Sequence, residues 1–179
     1  MLPDLFTDPR AYLALVAVVV AVLYWQRTLS WAEYTRVHAL KRRVLPLVDR
    51  YTALFVVSRK GGRDDPEFIT SYDGDVQATF NRLVANGGSP HVINSLKVRR
   101  QDGRNKYSDA HVLWTHNDGT QTEAYLFGVT DSETDVYAHH EAGVQTPKDH
   151  LQNTNQSDGD PRGVVRMALG MADELEAEL

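Results

Sequence analysis

A chain of 179 residues with no cysteine excludes disulfide scaffolds, thiolate metal centres and cysteine nucleophiles, and offers one modest core rather than two. The net charge of −5 is unevenly spread: residues 32–63 carry eight bases against two acids, whereas residues 64–179 carry twenty acids against nine bases. So acidic a distal region repels phosphate backbones, and nucleic acid is not an expected partner. Aspartate outnumbers glutamate and arginine outnumbers lysine, a bias that resembles proteins of GC-rich, salt-adapted microbes and their viruses.

The first predicted element is a single-pass transmembrane helix within an anchor region, residues 1–30. Ala11–Trp25 contains no charged side chain. Fifteen residues rise only about 22 Å, short of a hydrocarbon core of roughly 30 Å. With Asp8 as N-cap, Pro9 as first helical residue and Leu29 as the end, the length reaches about 31 Å. Arg10 and Arg27 are placed to snorkel, and Tyr12, Tyr24, Trp25 and Trp31 suit the interfaces. A cleaved signal would start basic and end in small residues, whereas this segment starts with Asp4 and Asp8 and ends Tyr-Trp-Gln-Arg. Arg27, Arg36, Lys41, Arg42 and Arg43 follow the helix and only Arg10 precedes it. The positive-inside rule then puts the N-terminus outside and the C-terminal domain in the cytoplasm, with the side in a virion membrane set by how that membrane was acquired.

Residues 31–51 read as a basic amphipathic connector helix. Ser30 and Glu33 form a capping-box pattern, and Trp31, Tyr34, Val37, Leu40, Val44, Leu47 and Tyr51 make an apolar stripe. Pro46 is expected to kink or break it. Either Arg27, Lys41, Arg42 and Arg43 meet lipid headgroups, or the stripe packs on the following domain or a second copy. Packing is favoured because Leu47 and Tyr51 run into the next strand.

Residues 52–179 read as a soluble α+β domain with the order ββαββββα, a mostly antiparallel sheet with helices on one face. Strands are expected over 53–59 and 67–72. A helix follows, capped by Asp73 to Asp75, presenting Val76, Phe80, Leu83 and Val84 and closed by Asn86-Gly87-Gly88. A strand over 92–100 leads to a turn at Gln101-Asp102-Gly103, where Lys97, Arg99, Arg100, Arg104 and Lys106 are read as a solvated basic hairpin end. Asp118-Gly119 marks a type I′ hairpin, pairing Val112 with Tyr125 on the expected core face and His111 with Leu126, a structural histidine. After a strand at 134–139 and a polar loop over 141–160, Asp160-Pro161 caps a last helix with Val164, Val165, Ala168, Ala172, Leu175 and Leu179 as its stripe.

The one constellation with ligand chemistry is His139, His140, Glu141, His150, Asp158 and Asp160 on a strand end and long loop. His139, His150, Asp158 and Asp160 could hold a divalent transition metal, although no recognised metal motif is matched and His139 and His140 point to opposite strand faces. Asp73 and Asp75 lack the glutamate that a calcium loop requires. No cofactor is otherwise expected. The leading expectation is a membrane-anchored, non-enzymatic interaction or structural protein, a virion or membrane-complex component, whose partners are the lipid bilayer and a protein or second copy. The alternative is a membrane-tethered metal-dependent hydrolase or nuclease.

Overall fold

The computed structural model describes residues 9–51, 56–143 and 159–171. Among them the chain forms α1 (Pro9–Arg27), α2 (Trp31–Tyr51), β1 (Val57–Lys60), β2 (Phe68–Asp73), α3 (Val76–Ala85), β3 (Ser89–Pro90), β4 (Leu96–Gln101), β5 (Arg104–Tyr107), β6 (Ala110–Thr115), β7 (Thr120–Thr130), β8 (Glu133–Ala142) and α4 (Pro161–Leu169). The fold is α+β, as the sequence indicates. Its strands divide between two sheets: an antiparallel β2-β8-β7-β6-β3 and a smaller β1-β4-β5, in which β1 and β4 run parallel.

Helix α1 is long and apolar enough to cross a membrane by length and composition. It is largely exposed from Pro9 to Trp25, buries Gln26 against the domain, and ends at Arg27 rather than Leu29. Two residues on, Leu29 turns into the domain core. Asp8 lies outside the described residues. The connection is tight: Thr28 donates backbone N–H and hydroxyl bonds to the Trp25 carbonyl, at 3.1 and 2.9 Å. Ser30 then caps α2 as expected, with Glu33 accepting from its N–H at 2.9 Å and its hydroxyl at 2.6 Å.

Helix α2 runs unbroken through Pro46 to Tyr51. A proline there removes one helical hydrogen bond, but both flanks are pinned: His38 and Lys41 are buried before it, and Asp49 beyond it accepts from Val57 N–H at 3.1 Å. The packing expected of the α2 stripe is met only over its first turns, since Leu40, Val44, Leu47 and Tyr51 are exposed. The buried face of the helix is Tyr34, His38 and Lys41.

The caps of α3 follow the sequence. The Asp75 carboxylate accepts from Ala78 N–H at 2.6 Å. Gly87, at φ +92°, lets Gly88 N–H return to the Leu83 carbonyl at 3.1 Å. Gly88 also lies so close to Val112 that any side chain there would collide with it. Helix α4 starts at Asp160, whose carboxylate accepts from Arg162 N–H at 3.0 Å, and stops at Gly170, φ +80°. Ala172, Leu175 and Leu179 lie outside the described residues.

The β6–β7 hairpin corrects the expected register. The loop is three residues, Asn117-Asp118-Gly119, closed by His116 N–H to the Thr120 carbonyl at 2.9 Å, with Gly119 at φ +85°. Asp-Gly serves this bulged turn as well as the two-residue one, and the extra residue slips every pair by one. Val112 therefore faces Ala124, and His111 faces Tyr125. Val112 and Tyr125 lie on opposite faces.

That slip sorts the five-stranded sheet. One face carries Ala110, Val112, Trp114, Ala124, Leu126, Val136 and Ala138 and packs beneath Phe80 and Leu83 of α3 and Val165 and Leu169 of α4. Tyr34 joins this core, and its ring meets Phe80 at 5.0 Å. At about 1.5–3 kcal/mol per fully buried large apolar side chain, this layer supplies the main driving force for folding. The other face carries Tyr125, Phe127 and Tyr137, packed against Phe68, and is covered by the small sheet.

Candidate functional site

Between the two sheets lies a layer of charge. From β4, Lys97 and Arg99 project inward, two residues apart and therefore on one face. Both are buried, so these two residues are not part of a solvated hairpin end. The opposing face is built from cross-strand pairs: Glu123 with His139, Tyr125 with Tyr137, Phe127 with Asp135. The Arg99 guanidinium lies 4.7 Å from the Phe127 ring centre and 5.6 Å from that of Tyr137. Its Nη1 donates to Asp135 at 2.5 Å and to the Tyr137 hydroxyl at 2.9 Å. Asp135 accepts further from Ser71 at 2.6 Å and Arg63 at 3.1 Å, and these donors hold its carboxyl below the usual range against the opposing effect of burial.

The second half of the layer centres on Glu123, only 3% exposed. Its carboxylate meets His111 Nδ1 at 3.0 Å, His91 Nδ1 at 3.5 Å, Lys97 Nζ at 3.6 Å and His139 Nε2 at 3.4 Å, and accepts from the Asn94 amide. Burial alone would raise its pKa; Lys97 and the histidines bring it well below the ordinary value instead. His139 also lies 3.5 Å from Glu67 and 3.6 Å from Glu141. Burial disfavours its charge, but hydrogen bonding to Glu141 and Glu67 outweighs that and raises its pKa to about 9. Lys60 closes on Glu67 at 2.6 Å and Gln121 on Glu141 at 2.7 Å. Tyr125 sits at the centre with Lys60 and Lys97 over its ring at 5.4 and 5.5 Å.

Helix α2 is wired into this layer. The Tyr34 hydroxyl accepts from His111 N–H at 2.8 Å. Lys41 donates to Asn94, and its burial lowers its pKa to about 7. His38 donates from Nε2 to the Ser108 carbonyl at 2.8 Å, and burial lowers its pKa to about 4.

Glu123, His139 and Glu141 bring one ligand atom each to within 4.8 Å of one another, the set best able to hold a metal ion among the described residues. Of the residues expected as ligands, only His139 belongs to it. His150 and Asp158 lie outside the described residues. Asp160 caps α4 on the far side of the sheet, where it lines an open hollow with His140 and His116. His139 and His140 do point to opposite faces, His140 bonding the Thr122 hydroxyl at 2.8 Å.

The residues expected at the membrane surface separate too. Arg27 and Arg43 are exposed. Arg42 pairs with Asp109 at 3.1 Å, and Lys41 is buried, so neither is wholly given to solvent or lipid. Tyr24 and Trp25 are exposed, whereas Trp31 turns inward against Phe80 with ring centres 4.9 Å apart. The sequence reading missed Glu123, Lys97 and Asp135. Their signal was an acid two residues before a tyrosine in each of two strands, Glu123-Ala-Tyr125 and Asp135-Val-Tyr137, facing Lys97-Val-Arg99.

Chemically, the layer is closed. Glu67, Glu123 and Glu141 are met by Lys60, Lys97 and protonated His139, and the small sheet lies over them. Such a cluster can fasten two sheets in one alignment. Compared with family models, curated proteins and solved structures, the chain finds no match.

Proposed function

We propose that the chain is a membrane-anchored, non-enzymatic interaction protein that holds a rigid, acidic α+β domain at a bilayer, as a component of a membrane complex or virion. The observation that carries the reading is the clamp at the end of α1. Gln26 is 3% exposed, and its side-chain carbonyl accepts from Val92 N–H at 3.2 Å and Ile93 N–H at 3.0 Å. Arg27 adds a 3.4 Å bond to the Thr115 hydroxyl. A helix exposed along its length but bonded into the domain at its end suits a permanent anchor, because removing it would strip those backbone groups of their acceptor. The excess of bases after α1 favours a cytoplasmic domain.

Alkaline carbonate extraction of the full chain tests the anchor: it should stay with the membrane, and release into the aqueous phase would overturn the reading. A cysteine introduced at Leu2 should be modified by a membrane-impermeant thiol reagent in intact cells.

The second reading, a metal-dependent hydrolase, draws on the Glu123, His139 and Glu141 geometry. It requires a divalent ion to displace the proton on His139 in a layer whose charges already balance. Stoichiometric metal in purified protein, lost in His139→Ala, would favour it over the interaction role.

A further inference from the structure

The anchored reading leaves one surface unexplained. Along α2, Leu40, Val44 and Leu47 are 61%, 43% and 56% exposed, and Ile93 beside them is 45% exposed. Leu40, Val44 and Ile93 share a hollow of about 330 Å³ between α2 and the segment leading to β4. Arg36, Arg43 and Arg50, seven residues apart, form an exposed row on the flank of this band away from the domain. The band is also next to the anchor, since the Ile93 backbone is itself bonded to Gln26.

We infer that this face of α2 rests on the headgroup layer of an anionic bilayer, with Leu40, Val44, Leu47 and Ile93 entering the interface and Arg36, Arg43 and Arg50 taking lipid phosphates. The inference rests on α1 being inserted. An apolar band edged by arginines, starting at the exit of a membrane helix, has the arrangement of an interfacial helix. Pairing of the same face with a second copy suits the charges less well. It would bring two arginine rows together, and the acids of α2 are already engaged within their own chain, Glu33 with Ser30 and Asp49 with Val57.

The absence of cysteine allows single labels in the full chain. Environment-sensitive fluorophores at Val44→Cys and Leu47→Cys should shift to the blue and be quenched by nitroxide lipids in vesicles of phosphatidylcholine and phosphatidylserine. A label at Asp131→Cys in the β7–β8 turn gives the aqueous baseline, and one at Val18→Cys reports insertion of α1. Quenching at 44 and 47 should fall to the baseline when phosphatidylserine is omitted, when salt is raised, and in the combined Arg36→Glu, Arg43→Glu, Arg50→Glu protein, while quenching at 18 persists. Quenching at 18 with none at 44 or 47 overturns this inference alone; no quenching at 18 overturns the anchor itself. Quenching by a nitroxide-labelled second copy and not by lipid assigns the band to self-association and overturns the lipid assignment, as does quenching at 44 and 47 indifferent to phosphatidylserine and salt.

Discussion

The two faces of the five-stranded sheet belong to the same strands and solve the same problem by opposite means. Towards α3 and α4, Val112, Ala124, Leu126 and Val136 meet Phe80, Leu83 and Val165 through hydrocarbon alone. Towards the small sheet, Glu123 and Asp135 meet Lys97 and Arg99 through charge laid over aromatic rings. The hydrocarbon contact is non-directional and tolerates rearrangement at constant volume. The ionic contact is directional, and each member depends on its partners because an uncompensated buried charge is expensive. Stability comes mainly from the first face, and the alignment of the two sheets from the second.

Single substitutions sharpen that contrast most. Glu123→Ala should cost about 3–5 kcal/mol in thermal unfolding, since Lys97 loses its carboxylate and protonated His139 one of its three, while Leu126→Met, three positions away on the hydrocarbon face, should cost less than about 1.5 kcal/mol. Equal losses would erase the distinction between the faces.

The pH dependence is next in size. His139, with a pKa raised to about 9 by Glu141 and Glu67, contributes stability that is fully present below about pH 6.5 and is lost as pH rises through 9, about 3 kcal/mol in all. Lys41, lowered to about 7 by burial, acts in the opposite sense between pH 7 and 10.5, because there the unfolded chain takes up the proton more readily. The intact protein should therefore be nearly flat from pH 7 to 9. Lys41→Met should uncover a decline over that range, and adding His139→Gln should abolish it. On the acid side His38, lowered to about 4 by burial, should drain stability as pH falls from 6.5. His38→Gln should lessen that limb, the remainder coming from His111, whose burial also holds its pKa well below the ordinary value.

A double-mutant cycle between Arg99→Ala and Asp135→Ala should give a coupling of about 2 kcal/mol. Strict additivity would mean that the 2.5 Å pair between the sheets contributes no alignment. Smallest is Ser30→Ala, which removes the cap of α2 and should cost about 1 kcal/mol without altering either face.

What was legible in the sequence was what is decided locally. Ser30 with Glu33, Asp75, Asn86-Gly87-Gly88 and Asp160-Pro161 each set a helix end through bonds to neighbours within a few residues, and each does so in the structure. Asp118-Gly119 located its hairpin but not the register, because the same two residues fit loops of two or three, and only the wider core selects between them. The ionic layer left only a faint trace in the sequence, an acid two residues before a tyrosine in each of two strands. Lys97 and Arg99 have the look of solvated strand residues until a second sheet is laid across them, and that pairing joins residues dozens of positions apart. Of the metal ligands expected, His139 keeps company with the carboxylates of Glu123 and Glu141 on its own sheet, while His150 and Asp158 lie outside the described residues.

The bond from Gln26 to the backbone at Val92 and Ile93 changes what kind of tether α1 is. A flexible linker lets its cargo sample a volume that grows with linker length. Here α1 works as a handle and not as a leash: whatever grips it also fixes the tilt and heading of the domain. Turning α1 about its own axis would swing the whole domain with it.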